Sequence, residues 1–498
     1  MAPASVTDRR RPPLLGTIRD SGEIQGEGKD LKWLARRTWV TDIVTPRNAM
    51  NLQDSAGLVA SGSTPAALDH LETALHQLRC FIGDPVASVG AALEASPEMA
   101  MGHLLHAYLH LLGTEPAGVS VARESHRRAL ALPMTEREQG HLRAVGHLVR
   151  GRWADAGRTL EDLSIDHPLD ALALQAGHQI DFFRGDSRML HDRIARALPH
   201  WSSGTTGFHA VLGMMAFGLE ETGRLDRAEA LGRRCVAIQP LDGWGQHAVA
   251  HVLEMQGRRT EGIEWMRGNV STWSENSFFA VHNWWHLALY HLDLDQIDEV
   301  LALVDGPICG AASGVVLDMV DASSLLWRLH LRGIDVGDRW RALADRWAPL
   351  STAANYAFND MHAMMAFVAA GRTANAHALL DAQNDATERD DDNAGFTFEV
   401  GQAATRAIKA FGDGRYEQVV QLLRPVRHVA HRFGGSHAQR DVIERTLIEA
   451  ARRAGMTSLF NALMHERASA RGLVTAPLTA PVAAQDSNRA VPTGSSLV

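Results

Sequence analysis

A turn signature recurs along this 498-residue chain: glycine, then Arg or Asp, then three variable residues, then a small residue. It reads Gly151-Arg-Trp-Ala-Asp-Ala156, Gly223-Arg-Leu-Asp-Arg-Ala228 and Gly257-Arg-Arg-Thr-Glu-Gly262. A looser copy begins at Gly185-Asp186, others begin at Gly371-Arg372 and Gly414-Arg415, and Asp295-Gln296 once takes the glycine's place. From 151 through 185, 223 and 257 to 295 the intervals are 34, 38, 34 and 38 residues. The segments between the turns carry helical rather than strand periodicity over about 12–15 residues. A lone helix pair cannot bury its own apolar face, so pairs repeated at this period must stack on their neighbours. The expected class is all-α.

A helix–turn–helix unit of about 34 residues resembles the tetratricopeptide repeat. The resemblance implies a right-handed α-solenoid of roughly seven to nine divergent units over residues 48–472. The turn glycine ends the first helix in a left-handed cap, and the small residue lets the second helix pack closely. In such repeats the first helix lines the concave surface, with inner residues about 13, 10, 6 and 3 places before the glycine. Counting back from Gly257 reaches Trp244, His247, His251 and Glu254; from Asp295 it reaches His282 and Trp285, with Asn283 and His286 beside them. Counting back from Gly151 gives Glu138 and His141, and from Gly223 gives Glu220, with His209 at the start of that helix. His178 and Asp181 before Gly185, and Asn359, Asp360 and His362 before Gly371, fall one place off this register. The inner wall is thus expected to be rich in His, Trp, Glu and Asn.

Two stretches concentrate the chemistry: Trp244-Gly-Gln-His247-Ala-Val-Ala-His251-Val-Leu-Glu254 and His282-Asn-Trp-Trp-His286. Histidines four apart share a helix face. His247, His251 and Glu254 make a two-His-one-carboxylate set for a divalent metal, and His282 with His286 could complete it. The same residues suit acid–base work, with His247 or His251 paired to Glu254. The competing expectation is that these rings are satisfied by one another and by backbone groups. Trp284 falls at a packing position, whereas Trp244 and Trp285 are expected to stack on a ligand. Near the C-terminus, Gly434-Gly435-Ser436-His437 reads as a loop entering a helix. Ser436 is its expected N-cap, Arg440 and Asp441 are an expected surface pair, and His437 with Arg440 could close one end of the groove around an anion.

Net charge is −9, which argues against nucleic acid or an anionic membrane as the main partner. Lys29, Lys32 and Lys409 are the only lysines, so no lysine-built anion clamp can form. Cys80, Cys235 and Cys309 make no CxxC and no disulfide framework, which fits a reducing cytoplasm. No apolar run reaches the roughly 18 residues of a membrane span, and no signal peptide is apparent. Residues 1–47 read as a disordered arm or an over-long gene start, with Met50 as the alternative start, and residues 473–498 as a disordered tail. No GxSxG, papain-like or P-loop motif is present.

The run His247-Ala-Val-Ala-His251-Val-Leu-Glu254-Met-Gln-Gly-Arg258 with His282-Asn-Trp-Trp-His286 resembles tetratricopeptide repeat protein 38 and its bacterial relatives. So do Val320-Asp321-Ala-Ser-Ser-Leu-Leu-Trp327, Phe358-Asn359-Asp360-Met-His362 and Gly434-Gly435-Ser436-His437-Ala-Gln439-Arg440-Asp441. The resemblance covers about residues 50–472 and implies a cytosolic α-helical repeat protein without an assigned reaction. The leading expectation is that the inner surface binds a partner segment or a small polar ligand. The alternative is an enzyme that uses the five-residue His/Glu cluster, and a third is a scaffold. An enzyme predicts a closed pocket of about 300–1,000 Å³ with converging rings. A peptide binder predicts an open groove. A single centre fails if His247 and His286 stand more than about 12 Å apart.

Overall fold

The computed structural model describes residues 50–470, so the expected arm and tail lie outside the described residues. Within them the chain is almost wholly helical and forms one compact unit. A hairpin of β1 (Met50–Gln53) and β2 (Val59–Ser63) comes first, followed by α1 (Pro65–Cys80), α2 (Pro85–Ala95), α3 (Ala100–Leu111) and α4 (Gly118–Ala129). Next are α5 (Glu136–Leu148), α6 (Trp153–Asp166), α7 (Ala171–Phe183), α8 (Ser187–Ala197), α9 (Phe208–Glu220) and α10 (Leu225–Ile238). The middle holds α11 (Gly243–Met255), α12 (Arg259–Gly268), α13 (Val270–Ser274), α14 (Ala280–Asp293) and α15 (Ile297–Leu303). The last part holds α16 (Val316–Leu331), α17 (Arg339–Trp347), α18 (Ala357–Ala369), α19 (Thr373–Ala386) and α20 (Asp392–Phe396). It ends with α21 (Gln402–Gly412), α22 (Tyr416–Val426), α23 (His437–Arg453) and α24 (Thr457–Ala470). No described helix is long and apolar enough to cross a membrane.

The turn glycines behave as the pattern requires. Gly151, Gly185, Gly223, Gly257, Gly371 and Gly414 all have φ between 66° and 76°, and Asp295 takes φ 57° in the same role. At each, the amide that follows the left-handed residue reaches back five residues, as from Arg258 N to Leu253 O at 2.9 Å and from Gln296 N to His291 O at 2.9 Å. That closure satisfies carbonyls the helix end would otherwise leave unpaired. The signature missed two further copies, Gly333 and Gly455, because Ile and Met follow them instead of Arg or Asp. The small residue also performs as expected. Ala156 and Ala228 are fully buried, and a β-carbon at Gly262 would run into the Tyr290 ring.

Consecutive helices pack in pairs, and the odd-numbered helices from α7 to α11 pack on one another, with α14 and α16 continuing the series. Those inner helices are buried nearly all round; every residue of α9 is buried. Among the described residues most of the apolar core falls into three large clusters, each fully buried large side chain contributing about 1.5–3 kcal/mol.

The hairpin departs from the all-helical expectation. Asp54 Oδ1 accepts from the amides of Ala56 and Leu58 at 2.9 and 2.8 Å, and Gly57 supplies φ 78°, a local turn signal that alternation alone does not carry. Glu138, on the expected inner line, is used here: its carboxylate accepts from Ser61 N at 2.8 Å and Ser61 Oγ at 2.6 Å.

Gly223→Ala is expected to cost about 1–2 kcal/mol, since only its left-handed backbone is strained. Gly185→Ala should cost clearly more, because a β-carbon there would also meet the His431 carbonyl. Urea unfolding of both variants tests this, and equal losses would contradict the His431 contact.

Candidate functional site

α11 and α14 face each other, and each carries two histidines one turn apart. His247, His251, His282 and His286 converge, with one nitrogen of each lying within 4.8 Å of the others. His247 Nε2 is 3.0 Å from His282 Nε2, and the His247 and His286 ring centres are 5.0 Å apart, far inside the 12 Å limit for a single centre. His247, His251 and His286 are buried, while His282 is partly exposed toward the pocket described below.

Carboxylates stand behind three of the rings. Asp321 Oδ2 on α16 lies 2.8 Å from His282 Nδ1. Glu254 Oε2 lies 3.5 Å from His286 Nδ1, and Glu220 Oε2 on α9 lies 3.6 Å from His251 Nδ1. Glu254 was expected to ligate beside His247 and His251; it is instead directed to the outer nitrogen of His286. Burial, then the neighbouring rings, pushes His247 and His286 well below the ordinary imidazole range, and burial pushes His251 to about 4. These three rings are therefore neutral near pH 7 and keep a lone pair each. Burial, then the adjacent Glu221, raises Glu220, whereas Arg440 and His437 hold Glu221 low against its burial.

The cluster opens onto a cavity of about 350 Å³. Phe81, Trp244 and Phe279 form an aromatic collar beside His247 and His282: Phe81 stacks on Trp244 at 5.4 Å, and Phe279 lies 5.2 Å from His247 and 5.0 Å from His282. Tyr108, Leu109, Leu112, Phe182, Phe183 and Leu317 extend the apolar wall, while Asp318, Asp321, Gln179, Ser436 and Gln439 add polar groups. Burial pushes Asp318 up to about 6. Phe278 and Val315, about half exposed, also line the cavity.

The other sequence candidates lie elsewhere. Trp285 is fully buried, with its indole N–H donating to Ser324 Oγ at 2.9 Å; it supports the His282 ring at 5.3 Å and cannot stack on a ligand. Trp284 packs edge-on against Trp273 at 4.6 Å, as a packing residue should. Asn283 bridges to Gly243 O, and His209 Nδ1 sits 2.6 Å from Asp242, the N-cap of α11. Asp181 is held by Arg193 at 2.7 and 3.0 Å. His178 packs on the Phe217 and Trp244 rings behind the collar. Asn359 donates to Thr114 Oγ1 at 2.9 Å, and His362 Nδ1 lies 2.8 Å from Phe358 O. His437 and Arg440 do not frame an anion site, because buried Glu221 takes both, at 3.2 Å each. Arg440 pairs with Glu221 rather than Asp441, which binds Arg445 and Arg467. Ser436 is the expected cap, in a reciprocal box with Gln439.

No protein-family model matches this chain. The site's missed members are Asp321, Asp318, Phe81 and Phe279. Asp318 and Asp321 lie on the helix ended by Gly333, a turn the signature did not reach; Phe81 and Phe279 follow no repeat position.

Burial holds His178 and His362 down to about 3. Below about pH 6.5 the unfolded chain then binds more protons than the folded one, so stability is lost as pH falls from 6.5 toward 3. Each ring can contribute up to a tenfold fall in the folding constant per pH unit. His362→Gln should flatten the decline of the urea midpoint between pH 7 and 5, and superimposable profiles would mean that His362 titrates freely in the fold.

Proposed function

We propose that this chain is a small-molecule-binding protein, built as a right-handed solenoid of divergent tetratricopeptide-like pairs related to tetratricopeptide repeat protein 38. Its ligand is a compact, largely apolar or aromatic molecule whose polar end meets His247 and His282. The observation that carries this reading is the cavity itself: 350 Å³, walled by aromatic side chains, with polar groups gathered at the histidine end. A partner segment laid along an inner groove is disfavoured, because the chain's own later helices occupy that face. Trp327 donates to Thr446 at 3.0 Å, Arg328 donates to Ala438 O at 2.7 Å, and Tyr356 donates to Phe183 O at 2.8 Å. The aromatic lining also shifts the expected ligand from polar to mainly apolar. With Cys80, Cys235 and Cys309 all free, the reading places the protein in a reducing cytoplasm. Convergence of the four rings favours the enzyme alternative over a plain scaffold.

A thermal-shift screen of aromatic and apolar small molecules against the full chain tests the pocket. A ligand at about 100 times its dissociation constant stabilises by about 2.7 kcal/mol, visible as a rise of a few degrees. Leu109→Trp, which fills the cavity, should abolish the rise while retaining the wild-type melting profile without ligand. A hit that stabilises Leu109→Trp equally would place its binding elsewhere.

A further inference from the structure

We propose that His247, His251, His282 and His286 hold a divalent first-row transition-metal ion whose open side faces the aromatic pocket. The metal itself does not depend on the pocket reading; only what the ion meets rests on it. The donors come as two i, i+4 pairs from facing helices, so the four ring positions are set by two rigid backbones. Metal–nitrogen bonds of about 2.1 Å put neighbouring donors about 3 Å apart and opposite ones about 4.2 Å apart. The separations here, 3.0 Å for His247 and His282 and at most 4.8 Å across the set, need only small ring rotations.

Three independent features fit a cation at this point. Asp321, Glu254 and Glu220 lie beyond the outer nitrogens of His282, His286 and His251, the arrangement that orients metal-binding imidazoles. Nε2 of His251 and Nε2 of His286 lack a hydrogen-bond partner among the described residues, while their Nδ1 atoms face Glu220 and Glu254. The large majority of buried polar groups in proteins are satisfied, so two inner nitrogens left open side by side point to a missing ligand. Neutral imidazoles are also the donor type that zinc, iron, copper and nickel share. A hydrogen bond between His247 and His282 would account for that pair alone and would leave His251 and His286 unexplained.

Two other groups have metal-like spacing but already have partners. The Asp242 carboxylate accepts from Gly245 N at 2.8 Å and meets His209, while Glu221 is matched by Arg440. His247 and His282 line the pocket, and His251 and His286 do not. An ion with five or six ligands therefore keeps its remaining positions toward the cavity, where the polar end of a ligand would reach it.

The test uses the full chain, stripped with a chelator, with elemental analysis after titration with Co(II) and Zn(II). One ion per chain and a metal-dependent rise in melting temperature are expected. His251→Ala and His286→Ala should each weaken binding at least about 100-fold, Asp321→Asn about 10–100-fold, and Leu109→Trp not at all. Folded wild type, checked by circular dichroism, that retains less than about a tenth of an ion per chain at micromolar metal overturns the proposal. So does wild-type affinity in Asp321→Asn, which keeps all four rings and decides the matter should an alanine variant unfold. Metal uptake without any pocket ligand counts against the pocket reading alone, and ligand binding by a metal-blind protein counts against the metal alone.

Discussion

Every inner helix in this protein ends on a left-handed residue, and the position of the site follows from that termination. A helix that stops one residue later turns its whole face by about 100° relative to the next pair. Because α11 and α14 stop on the same closure, His247 with His251 and His282 with His286 meet across one helix–helix contact. Glycine dominates these turns because a β-carbon in left-handed backbone costs about 1–2 kcal/mol. Asp295 accepts that strain at the end of α14, the helix that carries two of the four rings.

Arginine and histidine divide the interior between them. Where the chain buries a guanidinium, it forks between fixed acceptors: Arg193 between Asp181 and Gly157 O, Arg328 between Ser324 O and Ala438 O, Arg137 between Asp170 and Val59 O. A planar group with five donors suits such ties, and a compact ammonium does not. The histidine cluster follows another rule. Its carboxylates reach outer nitrogens, and the inner nitrogens of His251 and His286 keep their lone pairs toward the centre.

The repeat was legible because turn chemistry is local: one glycine and one small residue per unit suffice to show it. The inner wall was legible only where the ruler held. It gave Trp244, His247, His251 and His282, but on α14 it favoured Trp285, ten places before Asp295, over His286, nine places before it. Glu138 and His141 show a second limit. Both occupy inner positions, yet the hairpin and Asp170 consume them, and those partners lie far away in sequence. The pocket's collar was hidden for the same reason: Phe81 comes from the end of α1 and Phe279 from the loop before α14, with no period linking them.

The contacts between early and late helices bear on how this molecule folds. Repeat arrays ordinarily hold together through neighbours, so they can fray or nucleate anywhere. Here Glu115 receives the Val316 amide, 201 positions away, and Glu221 receives the His437 amide, 216 positions away. Asp392 clasps the turn at Gly151 and Ala154, and Asn355 closes on Thr114 across 241 positions. Loops of that length must close before these bonds can form, which slows folding and makes the late helices wait for the early ones. In return, the end of α1, tied at Phe81 to Ser277, and the start of α23, tied at His437 to Glu221, cannot come away without opening bonds to the middle of the chain, so the helical unit melts as one cooperative body.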